Sequence, residues 1–136
     1  MASSRHSRPQ HNRGARLELI LRRDGPECVW CRRPFDGRLV RATTEHVVPR
    51  IKGGPSWLEN EVAACRRCNS ARGHRTLGDW FEACVERGWS PNLSLLLGSL
   101  EALEQEIHRR GGMRRARPYI RAQRRRLSGC MKMYFE

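Results

Sequence analysis

The sequence predicts an α+β fold in which a small two-stranded unit ending in a short helix is flanked by longer helices. Three observations predict it. β-branched residues concentrate at Val40, Thr43, Thr44, Val47 and Val48, and a second candidate strand follows over 57–64. Two Cys-x-x-Cys pairs, Cys28/Cys31 and Cys65/Cys68, bracket this segment. Beyond Thr76 the apolar residues switch to helical spacing.

Taken in order, residues 1–14 are polar and basic, without apolar periodicity, and are expected to form a disordered N-terminal arm. Leu17, Leu19, Ile20 and Leu21 predict a short helix that Asp24-Gly25-Pro26 ends. Cys28-Val-Trp-Cys31 makes a tight turn, and 34–37 another. The first strand, within 39–49, should end near His46, and Lys52-Gly53-Gly54-Pro55-Ser56 reads as a loop. After the return strand a helix should start around Cys68 and run to Arg72, with Gly73 near its C-cap. Residues 15–75 thus form one unit and 76–136 a helical extension.

In that extension Thr76-Leu-Gly-Asp79 has capping-box form, with Asp where Glu or Gln is usual. Leu77, Trp80, Phe81, Cys84 and Val85 mark one buried helix face. Leu93, Leu96, Leu97, Leu100, Leu103 and Ile107 mark a second, longer one that Gly111-Gly112 closes. Pro118 suits the first turn of a last helix.

Lys and Arg number 27 against 14 Asp and Glu, a net charge of +13 at pH 7 in 136 residues. Such a charge predicts attraction to polyanions and says nothing of fold. It is clustered: residues 109–132 hold ten Lys and Arg and no acid. Arg121, Arg124 and Arg125, at helical spacing, are the expected phosphate contacts there. No run approaches the ~20 apolar residues of a membrane span, so no membrane partner is expected. The first residues lack an apolar signal region, so a cytoplasmic location with reduced thiols is expected.

Two residues between cysteines let both thiolates face one ion, and a second pair completes a tetrahedron of sulfur. Four thiolates close the coordination sphere, so Cys28, Cys31, Cys65 and Cys68 are expected to hold a structural Zn²⁺. Chemistry is then to be sought in the 33 residues between the pairs, 32–64, and just beyond. Cys84 lies on an apolar face and is assigned to the core; Cys130 is left unassigned.

That stretch reads Thr44-Glu45-His46-Val-Val-Pro49-Arg50, then Gly53-Gly54, Asn60, and Cys65-Arg-Arg-Cys68-Asn69-Ser-Ala-Arg72-Gly73. It resembles the HNH endonucleases, whose pattern is acid-His-x-x-Pro, a Gly-Gly loop, Asn, Cys-x-x-Cys-Asn or His, and Lys or Arg before Gly. The resemblance covers about half the chain. It implies a ββα-metal unit, of the kind called a His-Me finger, that cleaves DNA phosphodiesters. His46 is implied as general base and Asn60 as the residue holding its ring, directly or through a neighbouring backbone group. Glu45 and Asn69 are implied as ligands of a catalytic Mg²⁺ or Mn²⁺, and Arg72 as a phosphate clamp beside Arg50. Glu45 stands where Asp or His is frequent, Asn69 where His is, and Arg72 where Lys is.

Each residue has a plainer role open to it. Glu45 could be a solvated strand residue, Asn60 a turn former and Asn69 a helix cap. A non-catalytic zinc-knuckle module that binds nucleic acid is the alternative function, although such a module has no need of the Glu45/His46/Asn60/Asn69 set. A helical adaptor built on 93–110 would explain only the leucine stripe. DNA against RNA, and monomer against homodimer, stay open.

Overall fold

A cap begins the first element. The Asn12 side chain accepts a hydrogen bond from Ala15 N at 2.8 Å and starts α1 (Arg13–Asp24), which Gly25 ends at φ 96°. The computed structural model describes residues 11–135, so most of the expected arm lies outside the described residues. Arg13 and Gly14, assigned to that arm from composition, are helical because Asn12 supplies the cap.

The architecture is α+β. Strands β1 (Ala42–His46) and β2 (Glu61–Cys65) pair antiparallel, with Ala42 opposite Cys65 and His46 opposite Glu61. Both strands are shorter than the β-branched runs suggested. Val47 and Val48 are fully buried but leave the ladder, and Val47 N donates instead to Asn60 O at 2.8 Å. A 3-10 turn, Leu58–Asn60, occupies the expected start of the return strand. All of β2 is buried between the rest of the sheet unit and its cover.

Helix α2 (Arg66–Arg72) follows β2 without a loop, so Cys68 lies inside its first turn and not at its start. Then come α3 (Leu77–Glu86), α4 (Leu93–Arg110) and α5 (Ala116–Phe135). Leu77, Trp80, Phe81 and Cys84 of α3 join Leu93, Leu96, Leu100, Leu103 and Ile107 of α4 in one core with Val47, Val48 and Val62. Val85 and Leu97 sit at its margin. Among the described residues no helix is long and apolar enough to cross a membrane.

Polar bonds fix how α5 docks. A helix start leaves backbone N–H groups without partners. At α3, Thr76 Oγ1 accepts from Asp79 N at 3.1 Å, while α5 supplies two more acceptors: Tyr119 OH takes Leu77 N at 2.9 Å and Gln123 Oε1 takes Gly78 N at 2.8 Å. The Asp79 carboxylate does not return to close a capping box. It pairs with Arg126 at 2.6 Å, and Arg126 also reaches Glu82 at 3.1 Å.

Of the arginines expected to face nucleic acid, one also ties α5 to α4. Arg124 pairs with Glu104 of α4, and Arg121 lies 3.8 Å from the same carboxylate. Arg125 is exposed. Arg124 thus bridges α5 to α4, while the Arg121 side chain is 66% exposed beside the same carboxylate.

Gln123→Leu and Tyr119→Phe each strip an acceptor from a buried N–H of α3. Each is expected to lower stability by about 1–3 kcal/mol, the cost of an unsatisfied buried donor. Urea unfolding should show a lower midpoint at unchanged slope. An unmoved midpoint would mean that α5 does not cap α3.

Candidate active site and metal centre

The first cysteine pair sits in a turn closed by Cys28 N donating to Arg33 O and Arg32 N donating to Cys28 O, both at 3.0 Å. Arg32 takes the left-handed conformation, φ 66°, that this closure needs. The second pair straddles the β2–α2 junction, where Cys65 is both the last strand residue and the helix N-cap. The turn and the junction bring the four sulfurs within 4.8 Å of one another.

The cluster is compatible with a structural zinc site. Zn–S bonds of ~2.3 Å in a tetrahedron place sulfurs ~3.8 Å apart, and Cys31 and Cys65 Sγ are 3.9 Å apart. Backbone N–H groups already aim at the sulfurs: Cys65 N at Cys28 Sγ (3.2 Å), Trp30 N at Cys28 Sγ (3.4 Å) and Cys68 N at Cys65 Sγ (3.4 Å). Arg33 Nε donates to Cys31 Sγ at 3.4 Å, so a cation faces the thiolate charge. The hydrogen bond with Cys68, helped by backbone donors, lowers the Cys28 pKa to about 5 against the effect of burial. Cys68, at the other end of that shared proton, is pushed up.

Beside this cluster β1, β2 and α2 enclose a cleft of about 340 Å³. Glu45, His46, Arg50, Asn69 and Arg72 line it, together with Arg13, Arg16 and Glu61. An adjoining groove of about 480 Å³ shares Arg13, Thr44 and Asn69 and adds Arg66 and Ser70.

His46 ends β1 with its Nε2 3.0 Å from Ser56 Oγ and 3.9 Å from Glu61 Oε2. Burial lowers its pKa below the ordinary imidazole value; Glu61 opposes the shift, and Arg50, Arg16 and Arg13 add to it. Burial thereby favours the neutral ring, the form that can accept a proton.

Glu45 is buried, and not a solvated strand residue. One carboxylate oxygen accepts from Trp30 Nε1 and lies 3.5 Å from Arg72, while Oε1 has no hydrogen-bond partner. Burial raises its pKa to about 7 against the pull of Arg72 and Trp30. Asn69 donates its Nδ2 to Thr44 O at 3.3 Å, which directs its amide toward β1. Glu45, one of whose carboxylate oxygens is unpartnered, and Asn69 therefore line one cleft. Oxygens of this kind suit a small hard cation.

One expected role narrows to its backbone alternative and another needs correction. Asn60 is fully buried and makes no hydrogen bond to the His46 ring. Its Oδ1 accepts from Val48 N at 2.8 Å, and its Nδ2 donates to Val48 O at 3.0 Å and Pro55 O at 2.9 Å. It staples the loop after His46, acting through backbone. Arg72 is no phosphate clamp, because its guanidinium is buried and committed. It donates to His46 O (3.0 Å), Val47 O (3.1 Å) and Arg75 O (3.2 Å), and reaches Tyr119 OH at 3.4 Å.

Arg13, Arg16, Ser56 and Glu61 escape a reading of residue types. Arg13 donates to Thr44 Oγ1 at 3.0 Å and Thr43 Oγ1 at 2.9 Å across the α1–β1 contact, which no spacing encodes. Only the strand register could have found Glu61, once Asn60 is placed before the strand and not in it. His74 is exposed on the turn after α2 and does not line the cleft.

Residues 28–79 match the family model described as HNH endonuclease. That segment is similar to the HNH endonucleases. The CRISPR-associated endonuclease Cas9 of Corynebacterium diphtheriae is 31% identical over 61 residues, which is 44% of this chain and 5% of that relative. No solved structure matches the chain. The HNH segment contains all four cysteines, Glu45, His46, Asn60, Asn69 and Arg72, and ends inside α3; α4 and α5 lie beyond it.

The HNH loop depends on close backbone approach at Gly54. A Cβ there would lie 1.8 Å from Val48 O and 2.9 Å from Asn60 Nδ2. Gly54→Ala should therefore displace the loop that Asn60 staples. Asn60→Ala should cost about 2–4 kcal/mol by orphaning buried backbone groups. Thermal unfolding of both variants checks this; a Gly54→Ala protein as stable as the parent would contradict the packing described.

Proposed function

We propose that the protein is a metal-dependent HNH endonuclease that hydrolyses DNA phosphodiester bonds, with His46 as general base. The observation that carries this reading is the cleft itself: a histidine beside a buried carboxylate with an unpartnered oxygen and an asparagine, rimmed by arginines. A relative named as an endonuclease is similar over 61 residues of the chain, which supports it.

His46 takes a proton from a water molecule, whose oxygen attacks phosphorus. The bond from phosphorus to the 3′ oxygen breaks, leaving 3′-hydroxyl and 5′-phosphate ends. Glu45 and Asn69 would hold a Mg²⁺ or Mn²⁺, which would supply charge stabilisation. Arg72 holds the His46 and Val47 carbonyls and so sets where the imidazole emerges. Arg13, Arg50 and Arg66, all exposed around the two grooves, contact the phosphates on either side. The four cysteines hold Zn²⁺ as a structural ion, and β1, β2 and α2 make the ββα-metal unit.

Supercoiled plasmid incubated with the protein and Mg²⁺ or Mn²⁺ should be cut. His46→Ala should be slower by about 10²-fold or more while still folded. Equal cleavage by both proteins, or none by either across metals and salts, would sink the assignment. Metal analysis should find one zinc per chain. Stripping it should lower the unfolding temperature and abolish cleavage that added Mg²⁺ alone does not restore.

A further inference from the structure

Glu61 is the most deeply buried acid in the described part of the cleft, with a side chain that is 0% exposed. Burying a carboxylate is costly unless it is paired. Its partner is Arg16 of α1, whose Nε donates to Oε1 at 2.5 Å and whose NH2 approaches Oε2 at 3.4 Å. Arg23, further along α1, donates to the backbone oxygen of the same residue at 2.8 Å. Helix α1 thus grips residue 61 by its side chain and by its backbone.

The oxygen less tightly held by Arg16, Oε2, is the one turned to His46, 3.9 Å from Nε2. The strand register sets this meeting, since His46 and Glu61 are direct cross-strand partners. The other neighbour of Nε2, Ser56 Oγ, can either accept a proton from the ring or donate one to it. Arg50 NH2 donates to that same hydroxyl at 3.2 Å, which leaves both choices open to it. The carboxylate decides between them. A bare Nε2 lone pair would face negative charge, whereas an Nε2–H is attracted to it.

We propose that Glu61, fixed by Arg16, is a positioning residue that keeps the proton of His46 on Nε2 and leaves Nδ1 to take the proton from water. The inference rests on the nuclease reading for its catalytic consequence. In the step, one water O–H bond breaks, its proton binds Nδ1, and its electron pair forms the new P–O bond as the P–O3′ bond breaks; the 3′ oxygen keeps that bonding pair and takes a proton from solvent water. The imidazolium so formed is faced at Nε2 by the Glu61 carboxylate, as a third group orients the base in other nucleophile–base arrangements. Glu61 touches neither water nor phosphate in this role.

The test uses the zinc-loaded protein and three variants: Glu61→Gln, Arg16→Gln, and Glu18→Gln on the exposed side of α1 as control. Long-range proton–nitrogen spectra, recorded where the ring is neutral, report which nitrogen of His46 carries the proton. Nε2–H is expected in the parent and the control, with a shift toward Nδ1–H in Glu61→Gln and a smaller one in Arg16→Gln. Single-turnover cleavage should fall roughly tenfold or more in Glu61→Gln, with KM for DNA and half-saturation by Mg²⁺ unchanged. An unaltered tautomer in both folded variants overturns the proposal whatever the rates do. A shifted Mg²⁺ half-saturation overturns it in favour of Glu61 as a ligand. A parent that cuts nothing while Glu61→Gln still moves the ring proton would defeat the nuclease reading and leave the role toward the ring standing. Should Glu61→Gln fail to fold, Arg16→Gln carries the same spectral test.

Discussion

The cleft depends on four sulfurs meeting where β2 turns into α2. Cys65 closes the strand and caps the helix in the same residue, so the cluster clamps a junction that has no loop to absorb movement. The opposing turn does more than supply Cys28 and Cys31. Trp30, between them, stacks edge-on against Trp80 at 6.2 Å and donates its indole N–H to Glu45. The cysteine cluster therefore reaches the cleft through one side chain: turn, Trp30, Glu45. A metal that closes the sphere with thiolates takes no part in chemistry, yet its loss would free the residue that aims a cleft carboxylate.

From Glu45 the same chain of contacts continues to Arg72. A buried guanidinium is tolerable only when its donors are used. Here they meet three backbone carbonyls and a phenol oxygen, with the Glu45 carboxylate 3.5 Å away as counter-charge. The contacts tie the end of β1 to α2 and, through Tyr119, to α5. The helices after the HNH segment are thus not an appendage. Tyr119 and Gln123 cap α3 from α5, and the Arg126 and Arg124 ion pairs hold α5 to its neighbours.

What the sequence disclosed follows from how locally each feature is encoded. The cysteine pairs, Glu45, His46 and Asn69 sit at short fixed spacings in or beside strand and helix ends, and they do converge. The apolar stripes of α3 and α4 gave their buried faces, because a 3.6-residue period needs no knowledge of the partner. Arg72 was misjudged, and Arg124 has a partner that was not foreseen. An arginine's identity says that it will find an acceptor, not whether that acceptor is a phosphate, a carbonyl or the Glu104 carboxylate. Asn60 belonged to the site, but its role turned on the 3-10 turn that ends the loop, which no residue pattern announced. Arg13, Arg16 and Glu61 meet only because α1 packs across the sheet.

The arginines that do face the cleft carry a conflict. Positive charge draws in a phosphate, and the same charge makes the nearby imidazole a weaker base. The structure separates the two demands by partner. Arg16 is tied to Glu61, so its charge is offset beside His46. Arg13 and Arg50 rest on neutral hydroxyls, Thr43, Thr44 and Ser56. A hydroxyl gives up an arginine more readily than a carboxylate does, since the carboxylate adds the attraction of opposite charge to the hydrogen bond. On the nuclease reading, a phosphate arriving at the cleft would draw Arg13 and Arg50 away from the hydroxyls while Arg16 stays in place. The acid that appeared to oppose substrate binding is then what lets a basic cleft contain a working base.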